Sequence, residues 1–259
     1  MKLLVLGEFS SVAEHEIGSV AKSAHELAQG GFAVPYGLVL PRSAMEEFLV
    51  ETGMIGQFFA HLKKGHPEKA AALVTSTPMP EEMQEALVRE LDGHAMKIFD
   101  VHGSALSRGP EFHCYGQRRT HIGHVVRASW AACLSTEQPF SAVVLTKHVG
   151  ADKIGKIYTQ HPLNNSKAHC VITLARPQNS VFFIETNSGA VANAKDFHRI
   201  DGPLLVEEKD MLIQLVRQAQ SFSHKPLVMD WILGDGAYVL SYRELSGDDR
   251  AEFLRQSGN

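Results

Sequence analysis

The sequence predicts an α+β fold in two lobes, and three observations carry that expectation. The first third is dominated by apolar residues at helical spacing. From residue 97 onward, short β-branched runs alternate with helical stretches. Ala142 to Pro162, AVVLTKHVGADKIGKIYTQHP, holds two such runs on either side of a polar bend. The expected organisation is a single domain, 1–259, with lobes 1–95 (mainly helical) and 96–259 (mixed or antiparallel sheets with helices). A chain of 259 residues is long enough to bury a substantial core.

The elements follow in order. MKLLVLGEFSS carries one lysine and a very short apolar run, so it reads as a first strand rather than a signal peptide. Residues 17–29 form a helix with Val20, Ala24 and Leu27 on one side, stopped by Gly30-Gly31. Pro35 and Gly37 turn the chain into a short strand. Ser43 followed by Glu46 has capping-box spacing and opens a helix through Leu49. Residues 54–74 are helical, with a break near Gly65-His66-Pro67. The stretch TPMP punctuates before a helix over EEMQEALVREL. Lys97 to Val101 is a strand, Gly103 to Pro110 a loop, Phe112 to Gly116 a second extended piece, and Val125 to Leu134 a helix around Trp130. The two runs within Ala142–Pro162 read as a hairpin bent at Gly150-Ala151-Asp152. Strands over Cys170–Leu174 and Val181–Ile184 and a helix over 207–221 come next. LVMDWILGDGAYVLSYREL closes as strand, Gly-Asp-Gly turn, strand.

Composition excludes several function classes. A net charge of −4 gives no general attraction to nucleic acid or anionic lipid. No apolar run approaches the roughly 20 residues that a membrane span needs. Three cysteines, Cys114, Cys133 and Cys170, are odd in number and lack CxxC spacing, which points to a reduced, cytoplasmic setting. The 14 histidines are scattered from His15 to His224. His121 and His124 are the closest pair to test for metal, but HExxH and Cys/His clusters are missing, so the histidines read as scattered surface and partly buried residues.

Taken together, these segments resemble the N-terminal nucleotide-binding domain of the phosphoenolpyruvate synthase and pyruvate phosphate dikinase family. AVVLTKHVGADKIGKIYTQHP is similar, without a gap, to that family's AVVVQRMVPAEVSGVAFTRDP. IGSVAKSAHELAQGGFAVPYGLVLPRSAMEEFL looks like its opening. VHGSALSRG sits where VRSSA is usual, YGQRRTHIG is similar to AGQQETYLN, and MDWILGDGAYVLSYREL is similar to IEWALDDGKLYILQARPIT. The resemblance covers nearly the whole chain in order. It implies a two-lobed ATP-grasp-like nucleotide-binding domain whose basic and acidic side chains grip phosphates and magnesium. It implies ATP and Mg as cofactors. It also implies a separately encoded phosphohistidine or pyruvate-domain protein as partner, since this sequence shows neither such domain.

The departures from the family fall on the chemistry. The lysine of GGK falls on Val20; Lys22 is nearby, but two helical positions turn a side chain by about 200°. The arginine of VRSSA falls on His102, and Gly103 replaces the first serine, while Ser104 keeps the second. Histidine is shorter, only partly charged at neutral pH, and makes no bidentate phosphate grip. The QR pair becomes Thr146-Lys147. The closing acidic pair falls on Val228 and Asp230, the LQARP glutamine falls on Ser241, and Arg243 is kept. The glycine-rich WGLGE falls near Glu185 to Ala190. The nucleotide candidates are therefore Lys22, His102, Ser104, Thr146, Lys147, Ser241 and Arg243, and Asp230 is the metal candidate. Each also has a bland reading: exposed charge, loop residue or strand-end carboxylate. The function expected is nucleotide binding with degraded phosphate ligands, phosphotransfer being open; the alternative is an inactive pseudoenzyme serving as a regulatory or interaction subunit.

Overall fold

The computed structural model describes residues 3–9, 12–106, 112–135, 137–150, 153–176, 180–185 and 204–257. The fold is α+β, with two five-stranded antiparallel sheets and eight α-helices among those residues. The chain divides into two compact units: Met1–Glu26 with Pro35–His148, and Leu27–Val34 with Val149–Asn259. The division falls at His148, not near residue 95. The reason is strand pairing, since the strands that follow residue 95 complete the sheet begun in the first 40 residues.

In the first unit, strand β1 (Leu4–Val5) precedes helix α1 (Glu14–Gln29), then β2 (Gly37–Leu40). Helices α2 (Arg42–Glu51), α3 (Ile55–Lys63), α4 (Pro67–Ser76) and α5 (Glu81–Gly93) follow. Strands β3 (Ile98–Ser104) and β4 (His113–Arg118), helix α6 (Ile122–Ala132) and β5 (Ala142–Lys147) complete it. The strand order is β1-β2-β5-β3-β4. Alternation sorts the faces. Leu38, Leu40, Phe99, Val101, Val143 and Leu145 join the helical core of Phe48, Phe58, Leu87 and Trp130. Asp100, His102, Ser104 and Thr146 take the other face.

Local chemistry explains the helix breaks. Gly65 at φ 72° and Pro67 at the start of α4 separate α3 from α4, as expected. Ser43 does not cap α2: the cap position is Pro41, and Ser43 lies one residue inside the helix. The loop expected from Gly103 begins later, because Gly103 and Ser104 still pair with Val143 and Ala142.

The second unit holds β6 (Lys153–Tyr158), β7 (His169–Arg176), β8 (Ser180–Glu185), helix α7 (Val206–Phe222), β9 (Leu227–Leu233), β10 (Ala237–Glu244) and helix α8 (Gly247–Ser257). Its strand order is β10-β9-β6-β7-β8. Ile157, Ile172, Met229, Trp231 and Val239 pack with Leu212, Leu215 and Val216 of α7. Thus α7 faces inward on the side its spacing predicted.

The expected hairpin within Ala142–Pro162 is not one. The two runs are strands, but β5 pairs with β2 and β3 while β6 pairs with β7 and β9. Both edges of each strand are taken, so the bend joins two sheets. The glycine-rich candidate from residue 186 to 190 lies outside the described residues; Glu185 ends β8. Among the described residues, no helix is long and apolar enough to cross a membrane.

Candidate functional site

Strand β3 places Asp100, His102 and Ser104 on one face, and β5 adds Thr146. His102 is buried, at 6% exposure. Its Nδ1 lies 2.8 Å from His113 Nδ1, and its Nε2 lies 3.2 Å from Thr146 Oγ1. Tyr115 stacks on His113, with ring centroids 6.2 Å apart. Burial, then the neighbouring His113, push the His102 imidazole down to about 3. His102 is therefore neutral at physiological pH and supplies no fixed positive charge. The partial charge expected of it from sequence is lost through desolvation.

Asp100 accepts hydrogen bonds from Gly116 N–H and from His148 Nδ1, both at 2.7 Å. Ser104 ties α1 to the sheet. Its hydroxyl donates to Ile17 O at 2.6 Å and accepts from Ala21 N–H at 3.0 Å. Between those two residues, Gly18 breaks the helical geometry at φ 72° and ψ 175°. A Cβ on Gly18 would lie 2.2 Å from Ser104 O, so only glycine permits this approach. Ser104 thus has a full structural occupation at the α1 kink.

Two sequence candidates stand apart from that face. Lys22 lies within α1, and its Nζ donates to Glu14 Oε2 at 2.7 Å. That bond chiefly holds its ammonium above the usual lysine range. Lys147 follows Thr146, so strand alternation turns it to the opposite side, opposite Phe99 at the exposed end of β5.

The second unit brings three candidates together. A register shift between Val239 and Ser241 sets Ser241, not Leu240, across from Asp230. Ser241 Oγ donates to Asp230 Oδ2 at 2.5 Å, and Arg243 Nη1 lies 3.4 Å from the same oxygen. Arg243 Nε and Nη2 donate to Asp249 Oδ1 at 3.0 and 2.7 Å. Asp249 Oδ2 accepts from Ser246 N–H and Oγ, at 2.9 and 2.7 Å. Burial drives the Asp249 carboxyl upward, but the Ser246 donors and the Arg243 guanidinium outweigh it and hold it at about 2.

Sequence reasoning missed α8 and Lys156. The side chain of Lys156 shares the Asp230 face and meets both oxygens of Glu252, at 2.7 and 2.8 Å. One signal for α8 was available: Ser246 to Asp249 has capping-box spacing and makes reciprocal cap bonds. Lys156 carried no signal, because the family pattern has an apolar residue there.

A magnesium ion commonly takes one or two carboxylates, with phosphate and water oxygens completing its shell. Asp230 supplies one carboxylate. Among the described residues, no three His, Cys, Asp or Glu side chains converge to hold a metal by themselves. Asp230 has the oxygen chemistry for one such contact, alongside its bonds to Ser241 and Arg243.

No family model matches the chain. Over 175 residues it is 23% identical to a probable phosphoenolpyruvate synthase of Methanothermobacter thermautotrophicus, covering 53% of this chain and 26% of that protein. The match therefore spans about a quarter of the curated relative's length. Among solved structures, the chain is similar to the D-alanine-D-alanine ligase of Coxiella burnetii, at TM-score 0.46 and 11% identity over 93% of this chain and 55% of that one. It is similar to the Helicobacter pylori enzyme at TM-score 0.42 and 10% identity, over 93% and 60%. A third is the ATP-grasp ligase PsnB, at TM-score 0.39 and 13% identity, over 94% and 56%. The likeness expected from the landmarks is thus found in sequence, to a probable phosphoenolpyruvate synthase.

Proposed function

We propose that this chain is an ATP-binding domain of the ATP-grasp-like kind, related to the nucleotide-binding domain of phosphoenolpyruvate synthase. The observation that carries this reading is the grouping of Asp230, Ser241 and Arg243 on one face of the second sheet. A guanidinium presents paired donors to phosphate oxygens, and an adjacent carboxylate holds the accompanying magnesium. In this reading Arg243 orients the phosphates, Ser241 fixes the Asp230 carboxylate, and Asp230 ligates the ion. The remaining cofactor is ATP. If phosphate is passed on, the acceptor we propose is a partner protein bearing a phosphohistidine or pyruvate domain.

A second reading has a specific observation behind it. His102 stands where the resemblance places an arginine, and it is neutral and buried. Without that charge, the developing charge of phosphoryl transfer loses an electrostatic partner. This favours a domain that binds nucleotide without turning it over rapidly and acts as a regulatory subunit.

Calorimetric titration of site variants tests the proposal. Arg243→Gln and Asp230→Asn should each weaken Mg-ATP binding by roughly tenfold or more, since a charge-assisted hydrogen bond is worth about 1.5–3 kcal/mol. Lys225→Gln serves as a charge-matched control, because Lys225 pairs with Glu244 in an exposed bridge. Equal weakening in Arg243→Gln and Lys225→Gln, with none in Asp230→Asn, would mean that general charge, not this grouping, binds the nucleotide.

A further inference from the structure

The face that holds Asp230 carries a cation that the family resemblance does not assign. Lys156 on β6 lies across from Asp230 on β9, and Asp230 lies across from Ser241 on β10. Lys156 and Arg243 therefore flank one carboxylate over three neighbouring strands. Helix α8 covers this face. Asp249 and Glu252 are three residues apart, hence on one side of the helix, and each takes one of the two cations. Phe253 anchors the helix against Tyr158, with ring centroids 5.5 Å apart, and packs with Val171 and Val228.

Two features mark these pairs as exchangeable. The Lys156–Glu252 pair is partly exposed, at 22% and 32%. Asp249 keeps Ser246 as a second partner, so its cap survives if Arg243 turns to another anion. Beneath the helix, the fully buried Tyr158 hydroxyl has no hydrogen-bond partner among the described residues. The covered face is therefore incompletely satisfied with α8 in place.

We propose that Lys156 and Arg243 form an anion-binding pair for nucleotide phosphate oxygens, and that Glu252 and Asp249 occupy it until the ligand displaces them. This rests on the nucleotide-binding reading above. A carboxylate matches the guanidinium and ammonium much as a phosphate edge does, but carries less charge than a triphosphate with its several oxygens. The internal anions thus lower apparent affinity by the fraction of molecules in which they hold the cations.

The test is calorimetric titration of Mg-ATP into the full chain and into Glu252→Gln, Asp249→Asn/Glu252→Gln and Lys156→Gln, with thermal melts as folding controls. Removing the Glu252 charge should tighten binding by roughly threefold and the double change by roughly tenfold, while Lys156→Gln should weaken it. If the double variant fails to fold, Glu252→Gln decides, because Glu252 takes no part in the cap. Binding that is unchanged in Glu252→Gln would overturn the proposal and leave the nucleotide reading standing. Absence of binding in every protein, including the parent, would overturn both.

Discussion

His102 occupies the position at which the resemblance places an arginine, and its surroundings decide its charge. Thr146, His113 and Tyr115 pack about the buried ring, so burial and the neighbouring His113 disfavour its protonated form. The unfolded chain takes up a proton near the ordinary value of 6.5, whereas the folded chain resists it until about 3. The stability this neutral ring contributes is fully present above 6.5 and is lost as pH falls through that window, at up to about 1.4 kcal/mol per pH unit. His25 and His161, both lowered by burial, act in the same direction. Urea unfolding at pH 7 and pH 5 should show a marked loss for the parent and a smaller loss for His102→Gln. Equal losses would mean that His102 titrates normally.

At the scale of the element, Gly155 shows why one landmark of the resemblance has to be glycine. It lies in β6, between β7 and β9. A Cβ there would meet Thr173 O at 1.8 Å and the Trp231 ring at 2.8 Å. The backbone of a central strand has nowhere to move, so Gly155→Ala should cost about 2 kcal/mol or more and lower the melting temperature by several degrees. A melt unchanged from the parent would contradict this packing.

The elements themselves were largely legible, because β-branched runs and 3.6-residue spacing survive any tertiary arrangement. The breaks at Gly65-Pro67 and the Gly234–Gly236 turn came from backbone chemistry that is local. What was not legible was pairing. Ala142–Pro162 carries a hairpin's pattern, yet edge partners far away in sequence draw its halves into different sheets. Helix α8 escaped notice because it has one deeply buried apolar anchor, Phe253, and otherwise attaches through charges, which leave no apolar stripe. In the candidate site, Asp230, Ser241 and Arg243 were readable from the closing motif. Their neighbours Lys156, Asp249 and Glu252 were not, since only the sheet register and α8 bring them in.

At the scale of the molecule, both sheets have buried apolar cores, around Trp130 and Trp231, while Lys156 and Arg243 pair with the chain's own carboxylates. A net charge of −4 gives no nonspecific pull on a polyanion, so binding of ATP has to come from local groups and from magnesium. The account turns on whether the parent protein binds nucleotide at all. Calorimetric titration of ATP, with and without magnesium, tests this most directly. The account predicts saturable binding that requires magnesium; silence up to millimolar ATP in its presence would contradict it.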